Sequence, residues 1–296
     1  MQIVTDQYQK ELKPHGNAGF PLLVSYERLS KYESGSFLWH WHPEIELTLI
    51  DRGEMLYKVD RSEFHLHAGN AIFSNVNALH AGFMCEQQDC QYISVTFDPK
   101  LIYGFHGSTV ERSYVEPITQ STALSAVAFD GTQPWHSLAI TAIQEIIRLD
   151  AEKPPLYELS IISALQTLWM QLYLNVPPKT AVSPRDKVED NRIRRILAYI
   201  EEHYTQHLTL EEIAGEIHLC PSECSRLFKR RMNHSLFAFL QEYRVERSLE
   251  LLADEQLSIT EVSARAGFTD SNYYAKVFIK HKGCTPRAYR AKSKMR

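Results

Sequence analysis

The chain has 296 residues, 44% of them hydrophobic and 23% charged, which is more than one ordinary core needs, suits two domains and excludes long disorder. The net charge of −4 joins two unlike halves: residues 191–296 carry 18 Lys/Arg against 13 Asp/Glu, and residues 1–190 carry 14 against 23. A start without a basic or apolar leader, the lack of any run near the roughly 18 apolar residues of a bilayer span, and scattered cysteines (Cys85, Cys90, Cys220, Cys224, Cys284) lead us to expect a cytoplasmic protein with reduced thiols, not a membrane protein or a secreted disulfide scaffold.

Up to about residue 110, short β-like runs alternate with turn signals: Phe37 to Ile50, Glu54 to Val59, Glu63 to His67, Ala71 to Ser74 and Gln91 to Phe97. Strands this short and this closely spaced predict a sandwich or barrel. After Gln133-Pro134, apolar residues recur at helical spacing from Leu138 to Ile147 and from Leu156 to Leu172, with Pro154-Pro155 between the runs. Two consecutive helices are expected, with more apolar face than a small barrel needs, so packing on the barrel and a homodimer contact are both open. The segment 175–184 holds three prolines among small polar residues and reads as a linker between a domain at 1–174 and another at 185–296. Beyond it the helical segments are Asp190 to His203, Thr209 to Ile217, Pro221 to Met232, Ser235 to Ala253, Ser258 to Ala266, Asp270 to Lys282 and Pro286 to Lys292.

The second half repeats itself at an offset of 49 to 50 residues. Ile213-Ala214 matches Val262-Ser263, Leu219 matches Phe268, Arg226-Leu227-Phe228 matches Lys276-Val277-Phe278, Asn233 matches Gly283 and Phe239 matches Tyr289. Each copy reads as a short helix, a tight turn and a second helix that begins at a capping residue: Ser222 in the first copy, Asp270 or Ser271 in the second. An α-helix fits the major groove of DNA while the helix before it braces the backbone, so the exposed face of each second helix should carry donors. Ser222, Ser225, Arg226, Lys229 and Arg230 are those candidates in the first copy, and Ser271, Asn272, Lys276 and Lys280 in the second. Leu227, Phe228, Val277 and Phe278 belong to the core. From Ser271 to the end there are basic residues and no acidic one, which suits a polyanion partner or a solvated tail.

Leu208 to Tyr289 closely resembles the AraC/XylS family of bacterial transcription regulators. The resemblance is carried by Leu-Thr-Leu-Glu-Glu-Ile-Ala, Ser225-Arg-Leu-Phe-Lys229, Tyr243-Arg-Val-Glu-Arg247, Ala266-Gly-Phe-Thr-Asp270, Tyr273-Tyr-Ala-Lys-Val-Phe278 and Gly283-Cys-Thr-Pro-Arg-Ala-Tyr289. It implies two helix-turn-helix units joined by one long helix, base contacts at Ser222, Ser225, Arg226, Asn272 and Lys276, a promoter or operator as the DNA partner, and a homodimer with RNA polymerase as a further partner.

In the first half, Gly35 to Glu46 with Gly53, and Gly69-Asn70 with His80, resemble the two cupin motifs, although Asn70 stands where an acidic residue is usual and a proline-glycine turn is missing at 75–77. Strand alternation places His40, His42 and Glu46 on one face, where His80 from another strand could join them. Three readings follow: a divalent metal site, a metal-free pocket for a small-molecule effector such as a sugar, or structural histidines. His65 and His67 should be surface or lumen filler, Trp39 and Trp41 core, and a metal at Cys220 and Cys224 is disfavoured. The expected fold class is therefore α+β in two domains: an N-terminal cupin-like β-barrel with following helices, and an all-α double helix-turn-helix. The expected function is a non-enzymatic, effector-controlled, DNA-binding transcription regulator with no required cofactor. The competing classes are a metal-dependent cupin enzyme with an appended DNA-binding segment, and a helical interaction module.

Overall fold

The computed structural model describes residues 2–293 except 7–8, 18, 33–34, 87, 122–123, 177–183 and 233–234. Nine strands are described: β1 (Leu22–Arg28), β2 (Ser36–His40), β3 (Ile45–Arg52), β4 (Glu54–Val59), β5 (Ser62–His67), β6 (Ala71–Ser74), β7 (His80–Met84), β8 (Gln91–Phe97) and β9 (Ala126–Phe129). They form two antiparallel sheets, in the orders β1-β8-β3-β6-β9 and β2-β7-β4-β5. After β8 come the one-turn helices α1 (Lys100–Tyr103) and α2 (Glu116–Thr119), then the long α3 (Pro134–Glu152) and α4 (Tyr157–Asn175). The last two leave the chain where the prolines predict a break, with Lys153 and Leu156 in the left-handed region on either side of Pro154-Pro155.

Strand β3 organises this domain because Ile45 to Ile50 are buried on both faces. Ile45, Leu47 and Leu49 join Phe73, Val95 and Phe97 in a core with Ile143, Ile146, Leu165, Leu168 and Trp169 of α3 and α4. The alternate residues Glu46, Thr48 and Ile50 face the other way, and Ile50 joins a second core with Phe37, Met55, Tyr57, Val59 and Tyr92, drawn from both sheets. Each large apolar side chain buried in these layers contributes about 1.5–3 kcal/mol.

Three expectations need correcting. The run from Phe37 to Ile50 is two strands, because Pro43 has no N–H to give the ladder; β2 ends at His40 and β3 starts at Ile45. Trp39 and Trp41 are half-buried, not core. Strands β1 and β9 were not anticipated, and β7 only as a strand of unstated extent carrying His80. In β7, Gly82 breaks the alternation for a packing reason: a Cβ there would lie 2.4 Å from the Phe37 ring and 2.6 Å from the Met55 sulfur.

The second unit is helical: α5 (Pro184–His203), α6 (Leu210–Glu216), α7 (Pro221–Met232), α8 (Leu236–Ala253), α9 (Ile259–Arg265), α10 (Ser271–Lys282) and α11 (Pro286–Ser293). Its compact body begins at Val188, after the β-rich unit. Most of the segment expected as a linker lies outside the described residues, as does Asn233, the expected helix-closing match of Gly283; Gly283 itself closes α10 with φ +68. The repeat is visible in the caps. Thr209 with Glu212 and Ser258 with Glu261 form matching capping boxes on α6 and α9. Helix α7 begins at Pro221, so Ser222 lies within the first turn instead of capping it, whereas Asp270 caps α10 by accepting from the backbone N–H of Asn272 and Tyr273.

The turns of the two copies place a left-handed residue at the same point, His218 (φ +54) in one and Gly267 (φ +87) in the other. Only the second is crowded: a Cβ on Gly267 would lie 2.4 Å from the Tyr204 carbonyl oxygen. Gly267→Ala is therefore expected to destabilise the helical unit by about 1–3 kcal/mol. The exposed His218→Gly should be neutral or stabilising by up to about 1 kcal/mol, since it relieves a left-handed non-glycine residue. Denaturant unfolding followed by helical circular dichroism separates the two; a destabilisation by His218→Gly as large as that by Gly267→Ala would contradict this account.

Candidate functional site

In the barrel, the end of β2, the corner at His42, β3 and the start of β7 bring His40, His42, Glu46 and His80 together. All four are buried. His40 and His80 are paired across β2 and β7, with ring centroids 4.1 Å apart, and His42 lies 5.1 Å from His80. Each imidazole directs Nδ1 at a carbonyl oxygen, His40 at Leu38 (3.0 Å), His42 at Glu44 (3.2 Å) and His80 at Ala78 (2.9 Å). A carbonyl only accepts, so Nδ1 carries a proton, and a ring in its neutral form presents a lone pair at Nε2.

Two of those lone pairs, on His42 and His80, are buried with no hydrogen-bond partner. They lie 3.5 and 3.9 Å from the same Glu46 Oε2. Glu46 Oε1 accepts from the hydroxyls of Thr48 (2.7 Å) and Tyr57 (2.8 Å), which keeps the carboxylate turned inward. Burial pushes the Glu46 carboxyl up, but His42, His80 and Thr48 together hold it well below the usual carboxylate range. Burial also pushes His40 well below its ordinary value, helped by His80 and His42, and lowers His80. The result is three imidazoles and one carboxylate turned to one place: ligand atoms of the three histidines lie within 4.8 Å of one another, and Glu46 Oε2 stands 3.5 and 3.9 Å from His42 and His80. This donor set, with its rings fixed from behind by carbonyls, fits a first-row divalent cation. A cavity of about 450 Å³ reaches His40 and Glu46 and is walled by Tyr32, Phe37, Tyr92 and Thr96, so a small molecule could approach the cluster. His65 and His67 are exposed, the latter 3.1 Å from Glu54, and Asn70 serves a turn by accepting from the His67 N–H.

In the helical unit, positions 221–230 of α7 and 271–280 of α10 are buried and exposed in the same order throughout. On α7, Ser222, Arg226 and Lys229 are exposed and Ser225 is half-buried; on α10, Asn272, Lys276 and Lys280 are exposed and Ser271 is half-buried. Arg230 is exposed but binds Glu189 at 2.9 Å, which shares its hold with a supporting role. Leu227, Phe228, Val277 and Phe278 are buried, as expected. Tyr273, 49% exposed beside Asn272, was overlooked; its place opposite Glu223 in the repeat was the available signal. Cys224 is buried and burial pushes its thiol up to about 11, so it is a small core residue beside the exposed Cys220.

A helix-turn-helix domain family matches residues 213–292, and an AraC-like ligand binding domain family matches residues 27–131. The HTH-type transcriptional regulator YdeC of Bacillus subtilis is 31% identical over 97% of this chain and 98% of its own length. The chain belongs to the AraC family of transcriptional regulators. The melibiose operon regulatory protein of Escherichia coli K12 is 20% identical over 87% of this chain and 84% of its own. Among solved structures, the DNA-binding domain of AdpA in complex with a target DNA is 25% identical, covering 34% of this chain and 90% of that one, with a TM-score of 0.32. This AraC-family chain thus couples a ligand-binding domain to a DNA-binding helix-turn-helix domain, and among its described residues no helix is long and apolar enough to cross a membrane.

The residues that sequence reasoning missed sit at the mouth of the barrel. Glu11 and His15, four apart in a segment that showed no strand or helix pattern, fold against the histidine cluster: His15 Nε2 lies 3.2 Å from Glu11, its Nδ1 3.3 Å from Glu44, and its ring 4.8 Å from that of His42. Burial pushes His15 down, but the hydrogen bonds and charges of Glu11 and Glu44 more than offset it and hold the imidazole at about 9. Because that value is raised above the roughly 6.5 of an unfolded chain, the stabilisation is full below about pH 6.5 and is lost as pH rises through about 9. The difference in thermal stability between the wild type and His15→Gln should accordingly be greatest below about pH 6.5 and shrink towards pH 9. A difference that is flat or grows over that window would show that His15 is not held as a cation.

Proposed function

We propose that this regulator is a cytoplasmic, non-enzymatic homodimer that reads its operator with α7 and α10 and is controlled by a small polar effector bound at His40, His42, Glu46 and His80. The observation that carries the DNA part is the matched exposure of the two helices, which leaves Ser222, Ser225, Arg226, Lys229 and Arg230 in one copy and Ser271, Asn272, Lys276 and Lys280 in the other as the surfaces for bases and phosphates. Contact with RNA polymerase belongs to the same reading. The homodimer is supported by the exposed Leu159, Met170 and Leu174 along α4, which neither barrel core uses.

The effector part rests on the buried, convergent donors at the cavity and on the matched ligand-binding domain. Imidazoles and a carboxylate suit hydroxyl groups, and the similarity to a melibiose operon regulator favours a sugar or related metabolite. The same four side chains would hold a divalent metal ion; when bound, the ion supplies a Lewis acid to which an effector oxygen can coordinate. Regulation, not turnover, is favoured over an enzyme because the relatives are named as transcriptional regulators.

Arg226→Ala and Lys276→Ala should each weaken operator binding by about 1–3 kcal/mol and relax base preference at two places about one helical turn apart. A dimer should show this pair of places twice in a footprint. One short protected segment, or protection unchanged by both substitutions, would sink the two-helix reading, and a single pair would sink the dimer.

His42→Ala combined with Glu46→Ala should abolish the transcriptional response to effector while operator binding without effector persists. A double variant that responds as the wild type does would place the effector elsewhere.

A further inference from the structure

The N-terminal segment does more than close one end of the barrel. It is stitched to the barrel by backbone and side chain: the Glu11 N–H donates to the Trp41 carbonyl (2.9 Å), and the Gln2 side-chain amide donates to the Ser36 carbonyl and accepts from the Leu38 N–H of β2, while Leu12 N–H donates to Val4 within the segment (2.9 Å). Lys10 and Trp41 form a parallel bridge, and Thr5 and Glu11 an antiparallel one. This path carries the Glu11 side chain, 9% exposed, onto the histidine cluster, where its Oε2 stands 4.0 Å from His40 Nε2 and 3.2 Å from His15 Nε2. Glu11 lines the same cavity as His40 and Glu46.

From this geometry we infer that Glu11 is a further ligand, supplied by the N-terminal segment, for a divalent transition-metal ion held by His40, His42, His80 and Glu46. The inference rests on the metal reading of the barrel site given above and extends it to a residue outside both histidine motifs. Metal–nitrogen and metal–oxygen bonds run about 2.0–2.2 Å, so donors on one ion lie from about 3 Å apart when adjacent to about 4.2 Å when opposite. The His40–Glu11 separation of 4.0 Å falls in that span, as do the 3.5 and 3.9 Å between Glu46 and His42 or His80. The chemistry matches as well. The unpartnered Nε2 lone pairs of His42 and His80 and the Glu46 oxygen beside them repel unless a cation lies between them. His15 acts as a positioning residue, since its Nε2 holds the Glu11 oxygen at 3.2 Å while its Nδ1 lies 3.3 Å from Glu44. With Glu11 bound, the ion joins the segment to β2, β3 and β7; an effector oxygen that takes the position of the Glu11 carboxylate would release it.

The test is a titration of the metal-free full chain with Co²⁺, read by calorimetry and by the d–d absorption of the bound ion, together with trypsin cleavage at Lys10 and Lys13 with and without metal. The wild type should bind one ion, and Co²⁺ should slow cleavage at both lysines. Glu11→Gln should weaken binding by on the order of tenfold or more, alter the absorption band and abolish the metal-dependent protection, with Glu11→Asp recovering part of each. His42→Ala should lose the ion. Equal affinity, equal spectra and equal protection in wild type and Glu11→Gln would overturn the role of Glu11 while leaving the barrel metal site standing. No uptake by the wild type, or uptake unaffected by His42→Ala, would overturn the metal reading and the ligand role with it.

Discussion

A strand buried on both faces has to find a partner for every polar atom it carries, and β3 is such a strand. One face gives Ile45, Leu47 and Leu49 to the helices α3 and α4. The other carries Glu46 and Thr48 into the barrel, where an unsatisfied carboxylate would cost several kcal/mol. The sequence around it answers this demand at Oε1, which accepts from Thr48 and Tyr57, and leaves Oε2 beside the unpartnered Nε2 atoms of His42 and His80. Those imidazoles are aimed by backbone carbonyls, so the inward face is set by main-chain geometry and does not depend on a ligand being present. Recognition in the barrel follows from the solution to a burial problem.

The helical unit solves a different problem, which is to hold two copies of one motif through a single helix. Phe239 of α8 packs on Phe228 of α7, while Val245, Leu249 and Leu252 enter the core that contains Tyr274, Val277 and Phe278. Between those stretches lies Arg244, buried and bonded to the carbonyls of Tyr204 (2.7 Å) and Gln206 (2.8 Å), with its guanidinium 5.9 Å over the Phe268 ring. One side chain therefore touches the loop before the first motif and the turn of the second. This also explains why Gly267 cannot carry a side chain, since Tyr204 and Arg244 occupy the space beside it.

Much of this was legible. Repeats and caps are local, so the helices of the second half, their matched exposed faces and the core residues opposite them could be read from spacing and charge. The cluster of His40, His42, Glu46 and His80 was also found, but by an argument that holds only in part: the residues converge around a corner at Pro43, not along one strand. What could not be read was non-local. Glu11 and His15 belong to a segment without periodicity, and only the backbone bridge to Trp41 brings them to the site. The extent of strand β7 was hidden by Gly82, which is required by Phe37 and Met55 of neighbouring strands and by nothing in its own segment. Ser222 looked like a cap because it is a serine near a helix start, yet Pro221, preorganised for the first helical position, moves the start ahead of it.

The positive charge of the second half is smaller as a DNA-binding resource than its count implies. Arg244 and Arg290 are spent on backbone carbonyls, the latter on Leu252 and Leu257. Arg230 leans on Glu189, Arg195 on Glu216, Arg247 on Glu250, and Lys282 on the buried Glu246. Such cations stabilise the fold that presents α7 and α10, and releasing them to phosphates would break these pairs, one of them at the buried Glu246. Affinity for the phosphate backbone scales with the cations that displace counterions, so the number of side chains that can do so, not the number in the sequence, sets the salt dependence. Arg226, Lys229, Lys276 and Lys280 stand exposed on α7 and α10. With these cations placed on α7 and α10, the phosphate attraction they can offer is concentrated on the two exposed faces that the repeat pairs.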